Sequence, residues 1–433
     1  MPPLRRRATT AWDIYAKMLF PLGYGYPLWH PAPENDSIYG TREVDLGSVG
    51  WIDGGRFRHI FNAMKPAEDE FNRNRVPDDF QRLEPSGLVI TGEEDEITQS
   101  RLHSRTVTEV RGSAGLETSA IPAGCGFNFI CTEDEGAFLH LKPPGVSKRI
   151  SSKKHIVDYI RAHFESWFEF ATQAHEGPGL ILSPEEIIFV SGTIKTARWA
   201  CSAFSGEYRH KEGTITCDIS MLASADVSLS ISNHVVPKEF SNFGPLERGI
   251  SLSARLIDPH DQEDERAQAR GVLTVPVQSP PSCVFIHYFK YRRRLFLSPT
   301  VIKAAAGPHE LPPDSPDPES SAAIVGMEVL SLDEVEIEEV PATPSCYDPL
   351  DPVLEYIFKN SDAQVAVVGS TDLVEIFRGL DGIPEDIEST LEQAAPAIDV
   401  DEHGVGTISA YRLPVSTAPD PPQVATDAST WCL

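Results

Sequence analysis

The stretch Ser151-Ser152-Lys153-Lys154-His155-Ile156-Val157-Asp158-Tyr159-Ile160, continuing to Phe204, decides how the chain is read. Apolar residues fall at Ile156, Tyr159, Ile160, Phe164, Trp167, Phe170 and Ala171, with His163 beside them. That spacing is helical, and Ser151 and Ser152 supply the N-cap. The pattern predicts one amphipathic helix over 152–175, stopped by Gly177-Pro178-Gly179, because glycine costs helix entropy and proline lacks the N–H donor. Ile187-Ile188-Phe189-Val190 then forms an apolar run of strand length, and a second run leads through Trp199 to Phe204. A helix whose wide aromatic stripe needs cover, followed directly by a buried strand, points to an α+β core.

Working outward, strands dominate. Phe127–Thr132 and Ala137–Leu141, joined through Glu133–Gly136, read as a β-hairpin. Strict alternation follows, with Ile215, Cys217, Ile219 and Met221 against Thr214, Thr216, Asp218 and Ser220. Val227, Leu229 and Ile231 alternate with serines, and so do Ile250, Leu252, Ala254 and Leu256 with Ser251, Ser253 and Arg255. These are period-two strands with one apolar face. A charged loop, 258–270, separates them from Val272–Val275 and from a long strand, Cys283–Tyr291. The expectation is a large, mostly antiparallel sheet carrying an amphipathic helix, plus a small C-terminal α/β module.

Charge and composition set the domain plan. Of 433 residues, 64 are acidic and 37 are Lys or Arg, a formal charge of −27, and 36 are prolines. From Gly307 to Leu433 there are 26 acidic and 3 basic residues, so this part carries most of the excess. The plan expected is a disordered arm at 1–11, a main domain at 12–305 and an acidic Pro-rich linker at 306–345. A module at 346–414 and a disordered tail at 415–433 complete it. Within the module, helices are expected at Val353–Phe358, at Asp372–Arg378 with Thr371 as cap, and at Pro384–Ala394. A strand is expected at Gln364–Val368, and Ile398 and Val400 lead into a turn at 401–404.

Such a negative chain repels polyanions, so nucleic acid is not an expected partner. The seven cysteines never form Cys-x-x-Cys and mostly sit in apolar runs, as buried free thiols do. With neither an apolar leader nor an 18-residue apolar stretch visible, a cytoplasmic location is expected.

Leu19–Trp29 (LFPLGYGYPLW) and Val44–Trp51 (VDLGSVGW), with Gly54-Gly55-Arg56-Phe57, Phe61-Asn62, Ala304–Glu310 (AAAGPHE) and the stretches Asp348–Leu350 and Val365–Val367, resemble a large family of proteins of mushroom-forming fungi. The likeness covers most of the chain and implies no activity, substrate or catalytic residue. The Gly-aromatic segment reads as a loop anchored on the core or as a ligand lip formed by Tyr24, Tyr26, Trp29 and Trp51. Gly23-Tyr24-Gly25 lacks the third glycine and the preceding strand of a dinucleotide fingerprint.

Catalytic and metal patterns are thin. His155, His163 and His175 are not spaced as zinc ligands on one helix. Asp399–Gly404 starts like a calcium loop, but position twelve is Ala410, where a bidentate Glu is needed. No nucleophile elbow or phosphate loop is present, and Cys201 or Cys217 could work with His210 only if folding joined them. Neither cofactor nor metal is expected.

Basic residues cluster at Lys148-Arg149 with Lys153-Lys154, and at Lys290 with Arg292-Arg293-Arg294. They read as an anion-facing patch for a protein partner, for the chain's own acidic C-terminal module or for an acidic membrane surface. The leading expectation is a non-enzymatic interaction or regulatory protein. One alternative is a membrane-acting pore-former similar in plan to the gasdermins, restrained by its C-terminal part, in which strands 214–221 and 227–232 meet lipid. The other is a hydrolase whose site is assembled from distant residues.

Overall fold

The computed structural model describes residues 10–36, 40–73, 75–110, 127–174, 177–218, 226–232, 234–244, 280–294 and 347–409. The expected strands at 250–256 and 272–275, the loop at 258–270, the linker at 306–345 and the tail at 415–433 lie outside these residues.

The fold is α+β, with helices α1 (Ala11–Leu19), α2 (Lys153–Thr172), α3 (Asp351–Asn360), α4 (Ser370–Ile376) and α5 (Ile387–Ala394). Helix α1 starts inside the expected N-terminal arm, because the Thr10 hydroxyl accepts the Asp13 N–H as an N-cap does. Helix α2 matches the predicted stripe: Ile156, Val157, Ile160, Phe164, Trp167, Phe170 and Ala171 are its buried residues. Trp167 stacks on Phe189 at 6.3 Å and Phe164 on Tyr291 at 4.0 Å, so the stripe lies on the central strands.

Those strands belong to a ten-stranded sheet. Its path runs 398–400, 405–408, 365–369, 282–293, 188–196, 145–150 and 90–97, and every pairing is antiparallel except 365–369 with 405–408. The long strand Ser282–Arg293 sorts its side chains by alternation. Ile286 and Tyr288 join the cluster under α3–α5, whereas Phe289 and Tyr291 join the one under α2. Strand Ile188–Thr196 forks: Ile188 and Phe189 pair with Gly50 and Val49, and Gly192–Lys195 pair with Val146–Arg149. The register shift between Val190 and Gly192 lies between these two pairings.

Two expectations change here. Phe127–Cys131 and Glu135–Leu141 are not a hairpin, because the first pairs with 107–110 and 212–218 and the second with 101–103 and 199–205. They face each other across two sheets, with Phe129 and Phe138 ring centroids 4.8 Å apart. Aromatics on both strands stabilise more by meeting across a core than by lying side by side at an edge. The second change concerns 346–414, which does not stand apart as a small module. Val365–Gly369 hydrogen-bonds to Phe289–Arg293, and Leu350, Val353, Ile357 and Val368 share one cluster with Phe20, Tyr26, Phe57 and Tyr288. The described residues up to Arg294 and from Tyr347 to Ser409 form a single compact unit. Within it, α4 begins at Ser370 with Gly369, not Thr371, at the cap position, because the Asp372 carboxylate takes the Gly369 N–H.

Candidate functional site

The four residues of the expected ligand lip separate. Tyr26 is buried, in register with Ile286, and meets Tyr288 edge-on at 6.0 Å. Trp29 is buried against Tyr15 at 5.3 Å. Tyr24 is half-buried on Phe285, and Trp51 packs on the cluster beneath α2. Gly25 has φ of 107°, and a Cβ there would lie 2.6 Å from the Ile286 carbonyl oxygen, so only glycine lets this loop lie on the sheet. The arrangement is that of a loop anchored on the core.

The basic residues separate too. Lys290, 5% exposed, donates to Asp348 Oδ2 and to Asp351 Oδ1, each at 2.7 Å. Asp348 also accepts the Tyr288 hydroxyl at 2.7 Å and the Leu350 N–H at 2.9 Å. Arg292 bridges Glu185 at 2.8 Å and Asp351 at 3.4 Å. Arg294 donates to the carbonyls of Phe358, Ser361 and Ala363, which closes the end of α3. Lys153 reaches the buried Asp372 at 2.7 Å and the Ile408 carbonyl at 2.9 Å. Burial would drive the Lys290 ammonium toward neutrality, but Asp348 and Asp351 outweigh it and raise its pKa. Burial likewise opposes the Asp348 carboxylate, yet Lys290 and the two hydrogen bonds hold it below the usual range. For Asp372 burial wins over Lys153, and its pKa is raised. The remaining members point elsewhere: Arg149 pairs with Glu96, Arg293 is exposed beside Glu165 at 3.5 Å, and Lys154 is exposed. What reads in sequence as one patch is a seam of ion pairs to the chain's own acidic residues, plus separate cations.

Lys148 belongs to a different feature. Beside the fork of strand 188–196 an open groove of about 430 Å³ lies between strands 90–97 and 145–150 and the loops that flank strands 48–53 and 56–62. Ile90, Thr91, Gly92 and Lys148 form one wall; Asp45, Leu46, Met64, Lys65, Arg82 and Pro85 form the other. Arg82 is positioned by a 2.9 Å bond from Nε to the Met64 carbonyl, and its nearest carboxylate, Glu84, lies 3.8 Å away. Lys65 sits 3.7 Å from Asp45. Lys148 makes no ion pair among the described residues. Lys65 and Arg82 were not legible as site residues, because they lie in loops that only the tertiary fold brings opposite Lys148.

Buried histidines could suggest chemistry. His287 Nδ1 lies 3.3 Å from Ser370 Oγ, which also accepts the Tyr288 N–H. Burial, reinforced by Arg149, pushes His287 down to about 3, so it is a weak general base near neutral pH. Cys201 is buried in the core under α1, and His210 is exposed. Among the described residues no three His, Cys, Asp or Glu side chains gather as metal ligands would. Asp401 caps the turn between 398–400 and 405–408, accepting the N–H groups of His403 and Val405. In strands 212–218 and 226–231, Ile215, Leu229 and Ile231 pack on Phe129, Phe138 and Phe204. No helix among the described residues is long and apolar enough to cross a membrane. No family model, curated protein or solved structure matches this chain, so its fold and surface chemistry are the ground for any functional reading.

Proposed function

We propose that this chain is a non-enzymatic interaction or regulatory protein of the cytoplasm, whose acidic C-terminal residues serve as a built-in ligand for the basic edge of its own body. The observation that carries the reading is Lys290, buried on the long strand and held between Asp348 and Asp351. Arg292 and Lys153 extend the same complementarity to Asp351 and Asp372. Cations of the body thus meet carboxylates contributed by 348–372, and the strand pairing of 365–369 fixes their register. In this reading the C-terminal residues occupy an acid-binding edge that a partner with similar chemistry would compete for.

The test is limited proteolysis within 307–345, followed by size-exclusion chromatography at low and high salt. The fragments are expected to co-elute in both, because buried pairs are screened far less than surface pairs. In a cleaved Asp348→Asn/Asp351→Asn chain, the freed edge is expected to bind fluorescent poly-glutamate more tightly than cleaved wild type does. Equal binding by the two cleaved proteins would sink the reading.

A further inference from the structure

The geometry points to the groove at the sheet fork as a docking site for an acidic segment of a partner protein. Its carboxylates would be received by Lys65, Arg82 and Lys148, and its apolar side chains would lie on Leu46, Met64 and Ile90. This deepens the reading of the chain as an interaction protein, but it concerns a site separate from the C-terminal seam.

Three observations carry it. The groove gathers three cations against one lining carboxylate, Asp45, in a chain whose formal charge is −27. Their ion pairs are long: the nearest carboxylates stand at 3.7 Å from Lys65 and 3.8 Å from Arg82, against 2.7 Å in the seam. Finally, apolar surface continues past the groove, since Val89 is 58% exposed and Ile90 43%. Apolar surface left open beside Lys148, which makes no ion pair among the described residues, and beside two cations in long ion pairs fits a ligand that alternates acidic and apolar groups.

The surroundings choose among acidic ligands. Glu93, Glu94 and Asp95 follow Gly92 on the same strand and are exposed. An anionic bilayer or an extended nucleic acid laid over the cations would meet these carboxylates and be repelled by them. A short peptide can occupy the groove and leave that strand end free. The exposed Val89 and Ile90 give it more contact than a small carboxylate would use.

The experiment uses the full chain and a fluorescein-labelled synthetic octapeptide of alternating glutamate and leucine, followed by anisotropy. Saturable binding is expected to weaken at least about tenfold in Lys148→Glu and in Ile90→Ser, to fall steeply with added salt, and to be unchanged in Lys142→Glu, an exposed site outside the groove. The same peptide with glutamine for glutamate is expected not to bind. Lys148 is exposed, so its variant should keep the wild-type thermal midpoint, and Lys65→Gln gives an independent check on the same groove. Equal affinity in Lys148→Glu and Lys142→Glu, or no binding by wild type, would overturn the assignment. So would Lys148-dependent binding of octanoate, or of phosphatidylserine vesicles, without binding of the peptide. None of these results bears on whether the C-terminal fragment stays docked after cleavage.

Discussion

Acidification from pH 7.5 to 5 is expected to destabilise this fold through three histidines that it buries uncharged. Burial lowers His59 to about 3, helped by Arg42, Arg73 and Lys195; it lowers His287 to about 3, helped by Arg149; and it lowers His140 to about 4, helped by Arg101. A histidine released by unfolding titrates near 6.5, so below that pH the unfolded chain binds more protons than the folded one. Stability from these groups is therefore fully present above about pH 6.5 and is lost as pH falls toward their folded values. Each contributes a loss of about 2 kcal/mol by pH 5, giving about 6 kcal/mol together, and the slope approaches about 4 kcal/mol per pH unit. That is comparable to the whole stability of a typical domain, roughly 5–15 kcal/mol. Asp372, whose carboxyl is raised by burial, opposes the trend, whereas the lowered Asp348 adds to it below the ordinary carboxylate range. Urea unfolding at pH 7.5, 6 and 5 measures the loss, and its pH slope counts the protons taken up. A decline of less than about 2 kcal/mol, or a stability that rises on acidification, would refute the reasoning. His140→Gln should remove about a third of the slope.

Lys290→Met should cost about 3–5 kcal/mol in urea unfolding, because it leaves the buried Asp348 charge without its partner. Adding Asp348→Asn to it should recover part of that loss. Gly50→Ala should destabilise by more than about 1 kcal/mol, since a Cβ there would lie 1.9 Å from the Arg58 carbonyl oxygen; Gly379→Ala, with open space around its Cβ, should stay within about 0.5 kcal/mol in the same assay. Phe138→Ala should cost about 3–5 kcal/mol, read from the thermal midpoint, because its ring packs between Phe127, Phe129 and Phe204.

Period and charge were legible in the chain itself. The stripe from Ile156 to Ala171 specified α2, and the alternation expected at 214–221 and 227–232 specified half-buried strands, found at 212–218 and 226–231 with 219–221 outside the described residues. Both follow from local geometry, which places every third or fourth residue of a helix, or every second of a strand, on one face. The aromatic and glycine density of 19–29 marked either a loop held to the core or a ligand lip, and only the pairing of Tyr26 with Ile286 decides between them. Partners across long separations were decided only by the tertiary structure. Periodicity says that Phe129 and Phe138 need cover, but the same pattern suits a hairpin or two facing sheets, and only the competing strands 107–110, 199–205 and 212–218 settle it. Charge is likewise additive along a sequence but directional in space. Lys148 and Arg149 are adjacent in the chain, yet one lines the groove while the other pairs with Glu96, because successive residues of a strand face opposite ways. Lys290 and Asp348, 58 residues apart, meet because strand 365–369 pairs with 282–293 and draws the acidic C-terminal residues onto the body.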